Sequence, residues 1–374
     1  MKTFGRALVV CAAIAGLPAL ADVSFTTADS IRAAKVDKKA AKKAARHQTP
    51  VGRRALATGS ISLIDASGLK YFINTNITFS TSSSASGAMS EASYTHAVQA
   101  TTSMGGNVAS TLNDMFDGYN TICLNIGANV ALPCETGVAG QIFYNKNGPA
   151  ALDAGCANRQ VVFPVQTIGG LHVQRKVYVP TSDSFARWLN IISNPTASPI
   201  LVRVGTGNNL GSDANTIVTD SSTGASIMTS TLWVTTFQNY SGTTSSDPRI
   251  GHVLQGPGAT ATPLSSIHFV NGDDNPYWGY DLTVPPGATR VIMNFVTGQP
   301  SKAAAKAKAQ ALTTPILPPV ATACMTPLEQ GGVVNFSGVG LGILPIPSLS
   351  TTGLFVLGAA LALSAAAILR KSIL

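Results

Sequence analysis

Between Leu171 and Val179 the chain alternates strictly. Leu171, Val173, Val177 and Val179 fall on one face, and His172, Gln174, Lys176 and Tyr178 on the other. A side-chain period of two belongs to an extended strand with one buried face, not to a helix. Arg175 interrupts the apolar face, which points to a buried ion pair or to a strand end. Similar short runs rich in β-branched and aromatic residues recur at 70–79, 160–167, 185–192, 199–205, 231–240, 250–254, 267–270, 277–284 and 290–296. Turn residues separate them. Pro164 must bend its run. Ser193-Asn194-Pro195 links two runs read as a pair, and Pro285-Pro286-Gly287 makes a tight turn between two more. Residues 88–105 and 130–140 show no clear period. With no convincing long helix in 57–300, the expected fold is mainly β: an antiparallel β-sandwich, one large or two smaller. No fixed repeat suggests a propeller or solenoid.

Helices are expected only after this region. Residues 301–312 are Ala/Lys-rich behind Ser301, a good N-cap, and Thr326-Pro327-Leu328-Glu329 has the form of a capping box. Residues 301–330 therefore read as short helices, and the Gly/Pro-rich stretch 331–345 as a spacer.

The formal net charge of +8 invites a nucleic-acid reading, but its distribution removes it. Residues 32–54 hold nine Lys/Arg and one Asp, a net of +8 on their own, whereas residues 55–300 hold nine basic and thirteen acidic residues, a net of −4. The basicity belongs to one Ala/Lys-rich arm, 22–56. This arm is expected to be solvated and partly helical, or to meet anionic lipid headgroups or an acidic polymer. No nucleic-acid partner is expected.

The two ends carry addresses. Lys2 and Arg6 precede an apolar core, and Ala19-Leu20-Ala21 forms a small-x-small site, so 1–21 reads as a signal peptide cleaved before Asp22. Near the other end, Gly353 to Leu369 is an apolar run of 17 residues broken only by Ser364 and followed by Arg370 and Lys371. That is the short end of what spans a bilayer as a helix, and the basic pair should stay on the cytoplasmic side. Residues 346–374, with Ile346-Pro347-Ser348-Leu349-Ser350, Gly353, the apolar run and Arg370-Lys371, resemble an IPTL-CTERM sorting tail, itself similar to PEP-CTERM tails. Ser348 stands where that family has Thr, and Thr352 where Trp is usual. The resemblance implies a signal peptidase and an exosortase-like sorting enzyme as partners, and a membrane or cell-surface destination. It covers the tail alone.

Past the signal, four cysteines remain: Cys123, Cys134, Cys156 and Cys324. An exported protein meets an oxidising compartment, so disulfides are expected. Cys123 and Cys134 flank a hairpin expected over Leu124 to Pro133 and are the best pair; Cys156 with Cys324 is a second pairing, though four cysteines allow three connectivities.

Three loops carry candidate chemistry. Asp114 and Asp117, in Asn113-Asp114-Met115-Phe116-Asp117-Gly118-Tyr119-Asn120, offer oxygen ligands for Ca²⁺, or else cap turn amides. Residues 208–215 form a similar Asn/Asp turn. Asp273, Asp274, Tyr277 and Trp278 join two carboxylates to two aromatic rings, a composition suited to glycan contact, but a plain hairpin turn with Trp278 in the core is the favoured reading. No nucleophile elbow, zinc spacing or phosphate loop is present, and the histidines are scattered. The expectation is an exported structural or adhesive envelope protein, with no catalytic constellation strong enough to name a reaction and its enzyme status left open; the alternative is a carbohydrate-binding module or glycoside-active enzyme meeting envelope polysaccharide.

Overall fold

The computed structural model describes residues 59–75, 86–102, 106–127, 134, 139–144, 150–238, 247–259 and 264–339. All of them lie in the second of the two units into which the chain divides, Met1–Leu56 and Ala57–Leu374. The signal peptide, the basic arm and the sorting tail with its apolar run fall outside the described residues. Among the described residues, no helix is long and apolar enough to cross a membrane.

The fold is mainly β, and its strand pairs are antiparallel. One sheet has eight strands, running across it as Ser60–Ile64, Leu69–Asn74, Met89–Tyr94, Gly118–Ile126, Ile200–Asn209, Tyr277–Val284 and Leu264–His268, with Ile142–Phe143 also paired to Gly118–Ile126. The other has nine: Thr216–Ser221, Trp233–Gln238, Arg249–Val253, Thr289–Gln299, Ala186–Ser193, Leu171–Tyr178, Gln160–Val162 and Ala151–Leu152, with Gln166–Ile168 also paired to Leu171–Tyr178. A small hairpin joins Val98–Thr101 to Asn107–Ser110. The expected bend at Pro164 is present. It splits its run into two short strands that lie along the same partner, Leu171–Tyr178.

Side chains from both sheets feed one hydrophobic cluster, which includes Tyr71, Ile122, Val204 and Trp278 from the first sheet and Val177, Trp188, Ile292 and Val296 from the second. The period of two explains how one strand serves two sides. In Ala186–Ser193, Trp188 and Ile192 enter this core, while Leu189 and Ile191 point the other way into a second cluster. Both faces of this strand are buried, so apolar side chains stand on each face rather than alternating with exposed polar ones, and Arg187 and Asn190 are buried among them.

Two connections differ from the sequence expectation. Ala186–Ser193 and Ile200–Asn209 are not a pair, because they belong to different sheets, and the same holds for Tyr277–Val284 and Thr289–Gln299. The two crossings are stitched together at Asn194, which is buried. Its side-chain amide donates to the carbonyls of Ser198 and Val284, both at 2.8 Å. Its backbone N–H donates to Ala288 O, and its own carbonyl accepts from Gly287 N. Gly287 turns there with φ +68°, a conformation open to glycine at no steric cost.

Both disulfides form. Cys123–Cys134 has a Cα separation of 5.4 Å and Cys156–Cys324 one of 5.5 Å. The expected helix caps also form: Ser301 accepts from Ala304 N ahead of helix Lys302–Ala311, and Thr326 with Glu329 makes a full capping box on Pro327–Gly332. Residues 331–336 of the expected spacer are packed against the body, and residues 340–345 of it lie outside the described residues. Val333 bridges Val291, Phe336 is buried, and the Asn335 side chain bonds both Met293 N and Met293 O. The Asn335 amide copies a strand's donor and acceptor, which composition alone does not announce.

Candidate functional site

The loop from Gly272 to Trp278 is built by its own side chains. Gly272 takes φ +81° and donates to Thr216 O, and Asp273 Oδ1 caps Asn275 N at 3.0 Å. Asp274 is buried. Its Oδ2 accepts from Asp213 N and its Oδ1 from Asn275 Nδ2, so it ties this loop to residues 208–215. Asp273 instead faces outward, with Oδ2 3.2 Å from His268 Nε2. The His268 ring stacks on Tyr277, with centroids 4.9 Å apart and planes 12° apart. The His268 and Asp273 side chains are 34% and 37% exposed. Burial alone would raise the Asp273 carboxyl, but bonds from His268 and Asn275 outweigh it and hold the group below its ordinary value.

Trp278 is a core residue, as the hairpin reading of this loop expects, and not a glycan platform. It is 0% exposed and stacks on Phe269 at 5.9 Å and 7°, with Tyr119 nearby at 6.3 Å. Asp274 is likewise a structural tie. The structure brings Asp273 and Tyr277 together with His268, which was not singled out in the sequence because a lone histidine near a strand end gives no pattern.

Asp114 and Asp117 lie where the 113–118 segment zips onto the strand end at 209–210: Asp117 N donates to Asn209 O, and Phe116 N to Leu210 O. Among the described residues, no group of three or more His, Cys, Asp or Glu side chains is arranged to hold a metal. The acidic neighbourhood acts instead on Glu91. Burial pushes the Glu91 carboxyl up to about 8, the charges of Asp114 and Asp117 add to the shift, and a bond from Met115 N opposes it. Between pH 4.5 and about 8 the folded chain therefore holds a proton that the unfolded chain has released. Stability must fall as pH rises through that window. Glu91→Gln is expected to lose this slope and to exceed the parent in stability above pH 8, by an amount on the order of a few kcal/mol, as read by denaturant titration at several pH values.

Two buried polar groups lie between the sheets. Arg175 is not at a strand end, and among the described residues it makes no ion pair. It sits within Leu171–Tyr178 and donates to neutral oxygens: Asn190 Oδ1 (2.9 Å), Ser86 O (3.0 Å), Asn120 O (2.6 Å) and Asn120 Oδ1 (2.5 Å). Its alternation flagged the position, but its partners come from distant parts of the chain. His252 is fully buried, with Nδ1 2.9 Å from Tyr119 Oη and Nε2 2.9 Å from Thr236 Oγ1. Both ring nitrogens are thus engaged by hydroxyls in an aromatic surround, an arrangement that holds the fold rather than one open to a substrate.

No protein-family model matches the sequence, and no match was found among curated proteins. Solved structures with some likeness include a polysaccharide lyase (10% identity, 68% of this chain and 34% of that one, TM-score 0.38) and heparinase III (12% identity, 68% and 39%, TM-score 0.34). A galactose mutarotase related enzyme from Lactobacillus acidophilus is another (8% identity, 64% and 97%, TM-score 0.28). This chain spans 34% of the length of the lyase. At such TM-scores the likeness carries no argument about activity.

Proposed function

We propose that this chain is an exported envelope or cell-surface protein with a structural or adhesive role. In this reading the two sheets stack face to face as a sandwich, residues 1–21 deliver the chain, and residues 346–374 direct it to a sorting enzyme or hold it at the membrane. The supporting observation is the cysteine usage. All four cysteines past the signal are paired, Cys123 with Cys134 and Cys156 with Cys324, and such bonds persist in oxidising compartments. The reading is tested by protease shaving of intact producing cells combined with alkylation of free thiols. A shaved, unalkylated protein is expected; a protein protected inside the cell with reactive thiols would overturn the reading.

A second reading, glycan contact, draws on the partly exposed Tyr277, His268 and Asp273 cluster, where a ring stack stands beside a hydrogen-bonding carboxylate. Envelope polysaccharide would be the partner. Tyr277→Ala should then lower retention on a polysaccharide column at least tenfold, and unchanged retention would remove the idea.

A further inference from the structure

The outer face of the nine-stranded sheet is covered by the segment 301–336. Its buried side chains Ala309, Leu312, Ala321, Met325 and Phe336 belong to a cluster separate from the central core, which takes only Val334 from this segment. Helix Lys302–Ala311 sits close because Gly251 has no side chain: a Cβ there would lie 2.9 Å from Ala305 O and 3.3 Å from Ala309 Cβ. Contact through alanines buries little apolar area per residue. A helix of ten residues is also too short to persist unsupported.

Beyond the alanines the segment is held by the buried side chains of Leu312, Met325 and Phe336 and by the Asn335 amide on Met293, and polar ties add to these. Lys306 pairs with Asp220, Lys308 with Asp183 and Lys176 with Glu329. Arg187 donates to the carbonyls of Ala321 and Ala323, both at 2.8 Å. The exposed Lys306–Asp220 pair contributes little, whereas Lys176–Glu329 is nearly buried, with side chains 13% and 8% exposed. Two large apolar side chains of the segment, Ile316 and Leu328, are left 87% and 71% exposed rather than used for docking. One covalent bond holds it down: Cys324, in the middle of the segment, is joined to Cys156, 168 residues away.

We infer that residues 301–336 form a detachable strap whose closure depends on the Cys156–Cys324 bond, so that reduction uncovers the outer sheet face while the two-sheet core stays folded. The chemistry requires a dithiol reductant. It gives two electrons and two protons, the Sγ–Sγ bond breaks, both cysteines become thiols, and the dithiol leaves as its own disulfide. The cross-link keeps the strap at high local concentration over its docking face, and its loss makes opening a local event. The inference stands on the packing and does not require the export reading.

Hydrogen exchange read by mass spectrometry on the full chain tests this, comparing the parent with the double variant Cys156→Ser and Cys324→Ser, which keeps Cys123–Cys134. Amides in 302–336 should exchange at least tenfold faster in the variant, with those of 119–124 and 202–204 unchanged within twofold. The parent treated with a dithiol should reproduce the pattern. Unchanged protection in the strap, or equal loss of protection in strap and core, would overturn the inference.

Discussion

Arg175→Ala will leave the two-sheet body unfolded, or less stable by about 3–5 kcal/mol, in a denaturant titration. The guanidinium spans the space between the sheets. It takes Asn190 from its own sheet and the Ser86 and Asn120 carbonyls from the other side, and it is 0% exposed. Burial lowers its pKa to about 9, so it remains charged at neutral pH. Truncation would strand four oxygens that have no access to water, each at a cost of roughly 1–3 kcal/mol if nothing replaces the donor. The site is also shaped for the side chain: Gly87 holds φ +77°, and a Cβ there would come within 3.4 Å of Arg175 Nη1. Arg175→Lys should fail nearly as badly, because a single ammonium cannot reach acceptors spread around a planar fork. An alanine variant within 1 kcal/mol of the parent would show that these bonds do not hold the sheets together.

Acid should unfold the protein through His252. Burial depresses its pKa from 6.5 to about 3. Between those values the unfolded chain binds a proton that the folded chain refuses, so stability rises with pH across the window and is lost as pH falls. A depression of roughly three units sets an upper size of about 4 kcal/mol. His252→Gln keeps a polar side chain between Tyr119 and Thr236 without a titrating group. It should show a shallower loss of stability between pH 6.5 and 4 than the parent. Equal slopes would mean that another group governs acid unfolding. This slope is opposite in sign to that of Glu91, so the two together place maximal stability at about pH 4.5 to 6.5, where they offset each other.

The strands were the most legible part of the sequence. The alternation at 171–179 returned the strand Leu171–Tyr178, and Tyr277–Val284 appeared with the expected limits. The Ser301 and Thr326 caps and the two cysteine pairings were also readable, because each depends on chemistry close in the chain or on the small number of cysteines. Pairing was less readable. Strands adjacent in sequence usually pair, yet 186–193 and 200–209 separate into different sheets across a crossing held by Asn194, whose partners lie about 90 residues away. At the candidate site, Asp273 and Tyr277 were identified from loop composition, and His268 was not. The core position of Trp278 was the favoured reading of the loop, because Trp is highly buried on average. Asn335 looked like spacer because its role lies in the geometry of one side-chain amide.

The most direct test of an exported, oxidised envelope protein is the intact mass, with peptide mapping of both ends, of the chain recovered without reductant from its producing cell. The account predicts a chain that starts at Asp22, has no alkylatable thiol, and links the Cys123 and Cys156 peptides to those of Cys134 and Cys324. A chain that still carries residues 1–21 and has free thiols at these positions would contradict it.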